Sequence, residues 1–394
     1  MSDPSRVILV CPGAHYPAHN WTDTLQLIRA LRNKGENAHT IIFSTTTEPI
    51  PADLAGSVES VFPRAPGPLK QTTSGKWQER RFGRLVVVFE TATCLIKAIF
   101  SSKRGKNETV LHFIGGSYWV VMLATILSRR LRFVASVYGG ILEGEPAGLK
   151  AVIRGALKRI VKRAAATNRL DLICENELLR EQIAPLLGVH IHLIPYAIDG
   201  SEKLRAQSEA RQRLGLPAAE KMVLFFGTHR REKDYYTALK GCLELTDPPL
   251  ALFVGKVISS NDPREVVARC NYPKSVVVDE FVPEEKAKDY FAAADVVALP
   301  YEADFSRGSG VLIECCRFMR PMVVSATPYF SPFVARYKCG VSYVAGDAAS
   351  FAEAVKRVLA NPEEFQPGLN QARRDHSWST LIERYMELYQ GRTA

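Results

Sequence analysis

Gly308-Ser309-Gly310, with Glu314 four residues after the last glycine, is the spacing in this chain best suited to holding a nucleotide. A glycine-bearing turn that opens a helix leaves backbone N–H groups unpaired at the positive end of the helix dipole, which suits a phosphate. Glu314 falls one turn inside that helix, where a carboxylate can accept both hydroxyls of a ribose. A second stretch, Gly227-Thr228-His229-Arg230-Arg231-Glu232-Lys233-Asp234, follows the apolar run Met222 to Phe226. Two or three cations at the C-terminal end of a parallel strand are placed to hold an anionic group in the crevice between two domains. Each piece has a plainer reading, as an ordinary strand–helix crossover with a Ser-Gly cap or as a solvated charged loop. Two anion-suited turns at strand ends of one domain favour a shared ligand, and diphosphate is the obvious one.

Other chemistries lack their fingerprints. A dinucleotide site needs GxGxxG after its first strand, but Cys11-Pro12-Gly13-Ala14-His15-Tyr16 stands there, and no GxxxxGK[ST] loop occurs. Eight cysteines (Cys11, Cys94, Cys174, Cys242, Cys270, Cys315, Cys316, Cys339) include no CxxC pair. Several lie in apolar runs, so they read as reduced core thiols and not as disulfides or zinc ligands. The start, MSDPSRVILVCPG, has too short an apolar stretch for a signal peptide and no basic lead-in, and a cytoplasmic location is expected. The apolar segment 85–100 is interrupted by Glu90 and Lys97, and 118–128 is too short to span a bilayer. The net charge of +10 is concentrated in the first half, at 80–84, 97–106, 129–132 and 150–169. No aromatic-interleaved patch accompanies it, so nucleic acid is not an expected partner.

These loops need a scaffold, and the rest of the chain supplies one. At 394 residues the chain is long for one core, and two domains of similar size are the natural expectation. Periodicity predicts strands at 6–11, 38–43, 58–62, 109–113, 133–138, 172–174 and 190–194 in the first half. Helices are predicted at 21–33, 85–100, 118–128, 149–166 and 177–187, with a mobile polar loop at 63–83. The second half predicts strands at 222–226, 250–254, 275–279, 296–299 and 323–324. Its helices are predicted at 235–245, 264–270, 286–293, 311–318, 348–359 and 381–390. Strands made of Val, Ile, Leu and Phe without alternation are buried on both faces, as in parallel sheets. The expected fold class is therefore α/β, with two doubly wound Rossmann-like domains facing a cleft. The boundaries read as 1–197, 198–375 and a C-terminal helix within 376–394 that packs back on the first domain.

A series of short pieces in the second half resembles a known family. Leu193-Ile194-Pro195-Tyr196-Ala197-Ile198-Asp199 resembles an "IPNGID" turn, and Arg213-Leu214-Gly215-Leu216-Pro217 an "RLGLP". Phe226-Gly227 through Glu232-Lys233 resembles a "GR…EK" loop. Phe253-Val254-Gly255, Phe281-Val282-Pro283 and Ala294-Asp295-Val296 with Leu299-Pro300 also fit. Ser309 to Glu314, then Pro321-Met322-Val323-Val324, resembles "FGLVLLEA…GKPVV". Their order and spacing are those of the GT-B glycosyltransferases of the retaining family 4, or glycosyl transferases group 1. The good match runs from Leu193 to Val324, and the first half matches mainly in architecture.

The resemblance implies roles for individual residues. Lys233 would pair with the donor diphosphate, with Arg230 or Arg231 as its partner. Glu314 would hold the ribose, while Ser309, Gly310, Val311 and Leu312 would line the phosphates, the last three through backbone N–H groups. Gly227 and Gly13 would belong to loops near the donor phosphates, and Val282 would meet the base, with Pro283 and Glu284 as lesser candidates. His112 would be the catalytic-side histidine at the end of a middle strand, with His15 and His19 as alternatives. Two positions depart from the family pattern. Ser306 stands where a first glutamate is usual, with Glu302 and Asp304 on the same loop, and Thr228 stands in place of an arginine. No nucleophilic side chain is required in a retaining ion-pair transfer, so the burden falls on the cations.

The implied activity is transfer of a sugar, with retention, from a nucleotide-sugar donor to a glycan, lipid-linked or small-molecule acceptor. The donor would be UDP- or GDP-linked, with no cofactor and no metal required. A nucleotide-sugar epimerase of the same fold, or a catalytically silent nucleotide-sugar-binding protein, is the alternative. The basic amphipathic helix at 149–166 adds an expected peripheral contact with the inner membrane face.

Overall fold

The computed structural model describes residues 6–12, 20–34, 40–43, 50–60, 69–71, 77–79, 83–102, 109–115, 118–127, 131–137, 149–200, 203–306 and 308–391. The chain divides into two compact units. One comprises Met1–Gln71, Gln78–Pro195 and Trp378–Ala394, and the other Thr72–Trp77 and Tyr196–Ser377.

Short runs of β-branched and aliphatic residues build the parallel sheet of the first unit. Its strands are β1 (Arg6–Cys11), β2 (Thr40–Phe43), β3 (Val58–Ser60), β6 (Thr109–Phe113), β7 (Arg132–Ser136), β8 (Leu170–Cys174) and β9 (Ile191–Leu193). They lie in the order β3-β2-β1-β6-β7-β8-β9, and β4 (Leu69–Gln71) pairs separately with β5 (Trp77–Glu79). Alternate residues of each strand feed two cores. Ile8, Val10, Leu111 and Phe113 pack against α2 (Gly83–Ser102), α3 (Tyr118–Leu127), α4 (Leu149–Ala166) and α5 (Glu177–Leu187). Val7, Leu9 and Val110 pack on the other face, against α1 (Asn20–Asn33) and the C-terminal helix Trp378–Tyr389. Asn176 caps α5 by accepting from the Leu179 N–H, and Gly188 closes it in the left-handed conformation. In α4, Val161 and Ala164 face the core while Arg159, Lys162 and Arg163 are exposed, so the apolar side of that helix serves the sheet.

The second unit carries the strand order β12-β11-β10-β13-β14-β15, all parallel. These are β10 (Met222–Phe226), β11 (Leu250–Val254), β12 (Ser275–Val278), β13 (Val296–Leu299), β14 (Met322–Ser325) and β15 (Gly340–Tyr343). Nearly every side chain of β10, β11, β13 and β14 is buried, which explains their unbroken apolar sequences. The helices are α6 (Gln207–Leu214), α7 (Tyr235–Leu243), α8 (Pro263–Cys270), α9 (Glu284–Ala293), α10 (Gly310–Arg317), α11 (Phe330–Tyr337), α12 (Ala348–Ala360) and α13 (Gln366–Asp375). Asp234, Asp262 and Asp347 each accept a backbone N–H at the start of α7, α8 and α12. In a sheet of this order the chain reverses direction of winding between β10 and β13, and the loops at their C-terminal ends diverge there to leave a crevice.

Several elements carry weak local signals. Helix α6 reads QSEARQRL, without an apolar stripe, and is anchored by Ala210 and by buried Arg211. That guanidinium donates to Ala293 O at 3.0 Å and Asp295 Oδ2 at 2.8 Å. Helix α13 contains Gly368, which argues against a helix on propensity alone, while Pro367 stands in its first turn, where proline is tolerated. Its glycine is needed there, because a Cβ would collide with the Tyr337 carbonyl oxygen. Strand β15 is a half-buried edge strand, GVSY, with little periodicity.

Candidate functional site

The Gly227–Asp234 loop is fixed mainly by backbone pairing. Gly227 has φ +88 and donates its N–H to Val254 O at 2.9 Å. The chain then bridges β11's extension at His229–Val257 and the end of β13 at Lys233–Tyr301. Asp234 N–H donates to Pro300 O at 2.6 Å, and the Asn261 side chain donates to the carbonyls of Arg230 and Lys233 at 2.9 and 2.6 Å. Gly255, with φ +147, lies under the loop so tightly that a Cβ would strike the Gly227 carbonyl. His229 is fully buried and shares a 2.7 Å hydrogen bond between its Nδ1 and the Tyr235 hydroxyl. Burial, then the Lys233 charge, hold its pKa down to about 3, so the ring is neutral and structural.

Lys233 is the chemically poised member of the loop. Only 6% exposed, its Nζ donates to Phe226 O at 2.8 Å and sits 5.7 Å from the Tyr301 ring centroid. Burial, reinforced by Arg230, pushes its pKa from 10.5 down to about 7. A lysine held this way gains strongly from an incoming anion. Arg230 and Arg231 are exposed, and Arg230 Nε donates to Thr228 Oγ1 at 3.0 Å.

The second loop, after β13, leads to α10 beside this lysine. The position a Gly227 Cβ would occupy lies 3.2 Å from Val311 Cγ2 and 3.6 Å from Lys233 Nζ. The structure therefore brings Gly227, Lys233 and the first turn of α10 together. Ser309 precedes that turn with a buried Oγ that has no hydrogen-bond partner among the described residues, and its side chain does not cap the helix. The N–H groups of Gly310 and Val311 are among those that the start of a helix leaves for a ligand. The Leu312 N–H corrects one expectation: it already donates to Ser309 O at 3.2 Å in the tight first turn. Glu314 points its carboxylate toward Arg317, whose Nη1 lies 3.3 Å from Oε2. Val282 is half-buried in the connection from β12 to α9, and Glu284 opens α9. Ser306 is half-buried, and Glu302 and Asp304 are exposed.

His112 is the penultimate residue of β6, one position before the strand ends. It occupies β6 with 1% exposure, its Nδ1 2.7 Å from the Tyr389 hydroxyl and its ring centroid 5.9 Å from that of Tyr385. Burial lowers its pKa to about 3, so the ring is neutral and packed in the core. Gly13, His15 and His19 lie outside the described residues, as does most of the 63–83 segment apart from β4 and β5. Sequence reasoning named Gly255 only as part of a matching strand end and missed Asn261 and Arg317, although Arg317 stands at the i,i+3 position from Glu314 on a predicted helix. Among the described residues there is no cluster of His, Cys, Asp and Glu with metal-binding geometry and no helix long and apolar enough to cross a membrane. All eight cysteines are buried and unbridged.

Comparison with known proteins places this geometry. Residues 206–375 match the family described as glycosyl transferases group 1. The putative teichuronic acid biosynthesis glycosyltransferase TuaC of Bacillus subtilis is 26% identical over 202 residues, 50% of this chain and 47% of that protein. The chain thus spans about half the length of that relative. A D-inositol 3-phosphate glycosyltransferase of Nocardiopsis dassonvillei is 25% identical over 316 residues, 71% of this chain and 70% of its own. Among solved structures, Anabaena HepE in complex with UDP superposes with a TM-score of 0.69 at 13% identity, covering 98% of this chain and 100% of its own. Sucrose-phosphate synthase of Thermosynechococcus elongatus gives a TM-score of 0.67 at 18% identity, with 98% of each chain covered. The chain has the GT-B fold, and it resembles the glycosyl transferases group 1 through a match that takes in both loops of the candidate site.

Proposed function

We propose that the protein is a glycosyltransferase that moves a sugar from a nucleotide-sugar donor to an acceptor. The observation that carries this is the meeting of Lys233 with the first turn of α10 at the switch point of the second sheet. A buried amine with depressed pKa, a helix N-terminus and a ribose-height carboxylate, Glu314, match the parts of a nucleoside diphosphate in order. The relatives point the same way, since two carry glycosyltransferase names and one solved neighbour holds UDP.

In this reading Lys233 neutralises the departing diphosphate, with Arg230 and Arg231 adding charge from the surface. Ser309 Oγ and the Gly310 and Val311 amides hold the phosphates, and Glu314 accepts from the ribose. The Val282 backbone lines the base. The donor is a UDP- or GDP-sugar, and transfer proceeds with retention, the leaving diphosphate oxygen itself accepting the acceptor's proton. No protein nucleophile is then needed, in keeping with the core placement of His112. Ser306 leaves room on the sugar side for a donor group that a glutamate would contact. The acceptor is a glycan, a lipid-linked glycan or a small molecule, met in the cytoplasm.

The test is turnover across a panel of UDP-, GDP- and ADP-sugars, with the anomeric configuration of the product read by NMR. Release of nucleoside diphosphate that disappears in Lys233→Ala supports transfer. Tight nucleotide-sugar binding with no turnover on any donor and acceptor pair would leave a silent binding protein instead.

A further inference from the structure

Half-buried Glu314 shares its helix face with a buried charge. Arg317, one turn along α10, has a side chain only 8% exposed. Its Nη2 donates to Glu284 Oε1 at 2.6 Å, while its Nη1 lies 3.3 Å from Glu314 Oε2 and 3.5 Å from Oε1. The guanidinium carbon sits 5.0 Å from the Phe318 ring centroid, which restricts the plane of the fork. Glu284 is the first residue of α9 and follows Val282-Pro283 directly. One buried guanidinium therefore joins the carboxylate assigned to the ribose and the connection assigned to the base.

The two arms are unequal. The contact to Glu284 has the length of a strong charge-assisted hydrogen bond, whereas the contact to Glu314 is longer and divided between both oxygens. The Glu284 arm anchors the fork, and the Glu314 arm steers the carboxylate without consuming it. An ionised carboxylate offers about four lone-pair sites, so Glu314 can face the guanidinium and still accept from ribose hydroxyls.

We propose that Arg317 is a positioning residue for nucleotide recognition. It sets the Glu314 carboxylate for the ribose and, through Glu284, keeps the Val282–Glu284 connection in register with it. This rests on the reading of Glu314 given above. The test compares dissociation constants for UDP and 2′-deoxy-UDP, and for GDP and 2′-deoxy-GDP, by calorimetry.

The wild type should prefer the ribonucleotide about tenfold, the worth of one hydrogen bond to a charged group. In Arg317→Met that preference should fall to within about twofold, chiefly through weaker ribonucleotide binding, and Glu284→Gln should move it the same way by less. A merely structural arginine would weaken both nucleotides equally and keep the ratio, and that result overturns the inference. Should Arg317→Met not fold, Arg317→Lys decides: it keeps the charge but not the two-pronged fork, so the preference should drop by at least half. A retained preference in that variant is equally fatal. A wild type that binds nucleotide with no ribose preference instead refutes the Glu314 assignment itself, and so distinguishes the two failures.

Discussion

Replacing Lys233 by Met should make the protein more stable at neutral pH and unable to use its donor. Methionine keeps the length and apolar stem of the side chain but removes a charge that is almost wholly shielded from water. A fall in pKa from 10.5 to about 7 means that protonation costs the folded state about 5 kcal/mol more than the unfolded chain. The sign follows from proton counting. Below about pH 7 both states carry the proton and the penalty is full; between about pH 7 and pH 10 the unfolded chain binds more protons, so stability rises with pH. Losing the 2.8 Å bond to Phe226 O offsets about 1–2 kcal/mol of the gain in the variant. Denaturant melts of the free protein should therefore show Lys233→Met ahead by about 2–4 kcal/mol at about pH 6. That lead should shrink by about 3 kcal/mol by about pH 9.5. A gap that does not vary with pH would mean the amine titrates like a solvated lysine, and the poised-cation reasoning would fail. The same lysine should make UDP affinity fall as pH rises through about 7 in the wild type, and the variant should lack that dependence.

Other perturbations test separate parts of the site. Gly255→Ala should destabilise the second unit by about 2–4 kcal/mol and abolish nucleotide binding, read by thermal melting and calorimetry, because its methyl group displaces the Gly227 carbonyl. His112→Phe should leave donor turnover within about twofold of wild type and cost about 1–2 kcal/mol in a denaturant melt, by stranding the Tyr389 hydroxyl. His229→Phe and Tyr235→Phe should show a coupling of about 1 kcal/mol in a double-mutant cycle, since they share one buried hydrogen bond.

The parallel sheets were legible because their strands are apolar on both faces, and the two loops stood out because both follow strands of one domain with Gly, Ser and Lys at their turns. Local patterns failed where an element is held by something other than an apolar stripe. Helix α6 hangs on the Arg211 guanidinium, and α13 tolerates Gly368 because a neighbouring carbonyl leaves space for nothing larger. The site was read less fully than the fold. Arg317 went unread: its i,i+3 relation to Glu314 is local to α10, but its contact with Glu284 follows only from how α9 meets α10. The surroundings of His112 were not legible, because its partner Tyr389 lies on the C-terminal helix, distant in sequence.

The backbone lacing of the Gly227–Asp234 loop separates the residues that hold it from the residues that colour it. Gly227, Gly255 and Asn261 set the path, and Lys233 is locked against the Phe226 carbonyl. Arg230 and Arg231 are exposed, and the Arg230 side chain donates to Thr228, so these three side chains can change without refolding the loop. The segment is a rigid frame with three interchangeable faces. A library randomised at those positions alone would sample charge and shape beside Lys233 at small cost in stability, so the loop's chemistry can change while its path stays fixed.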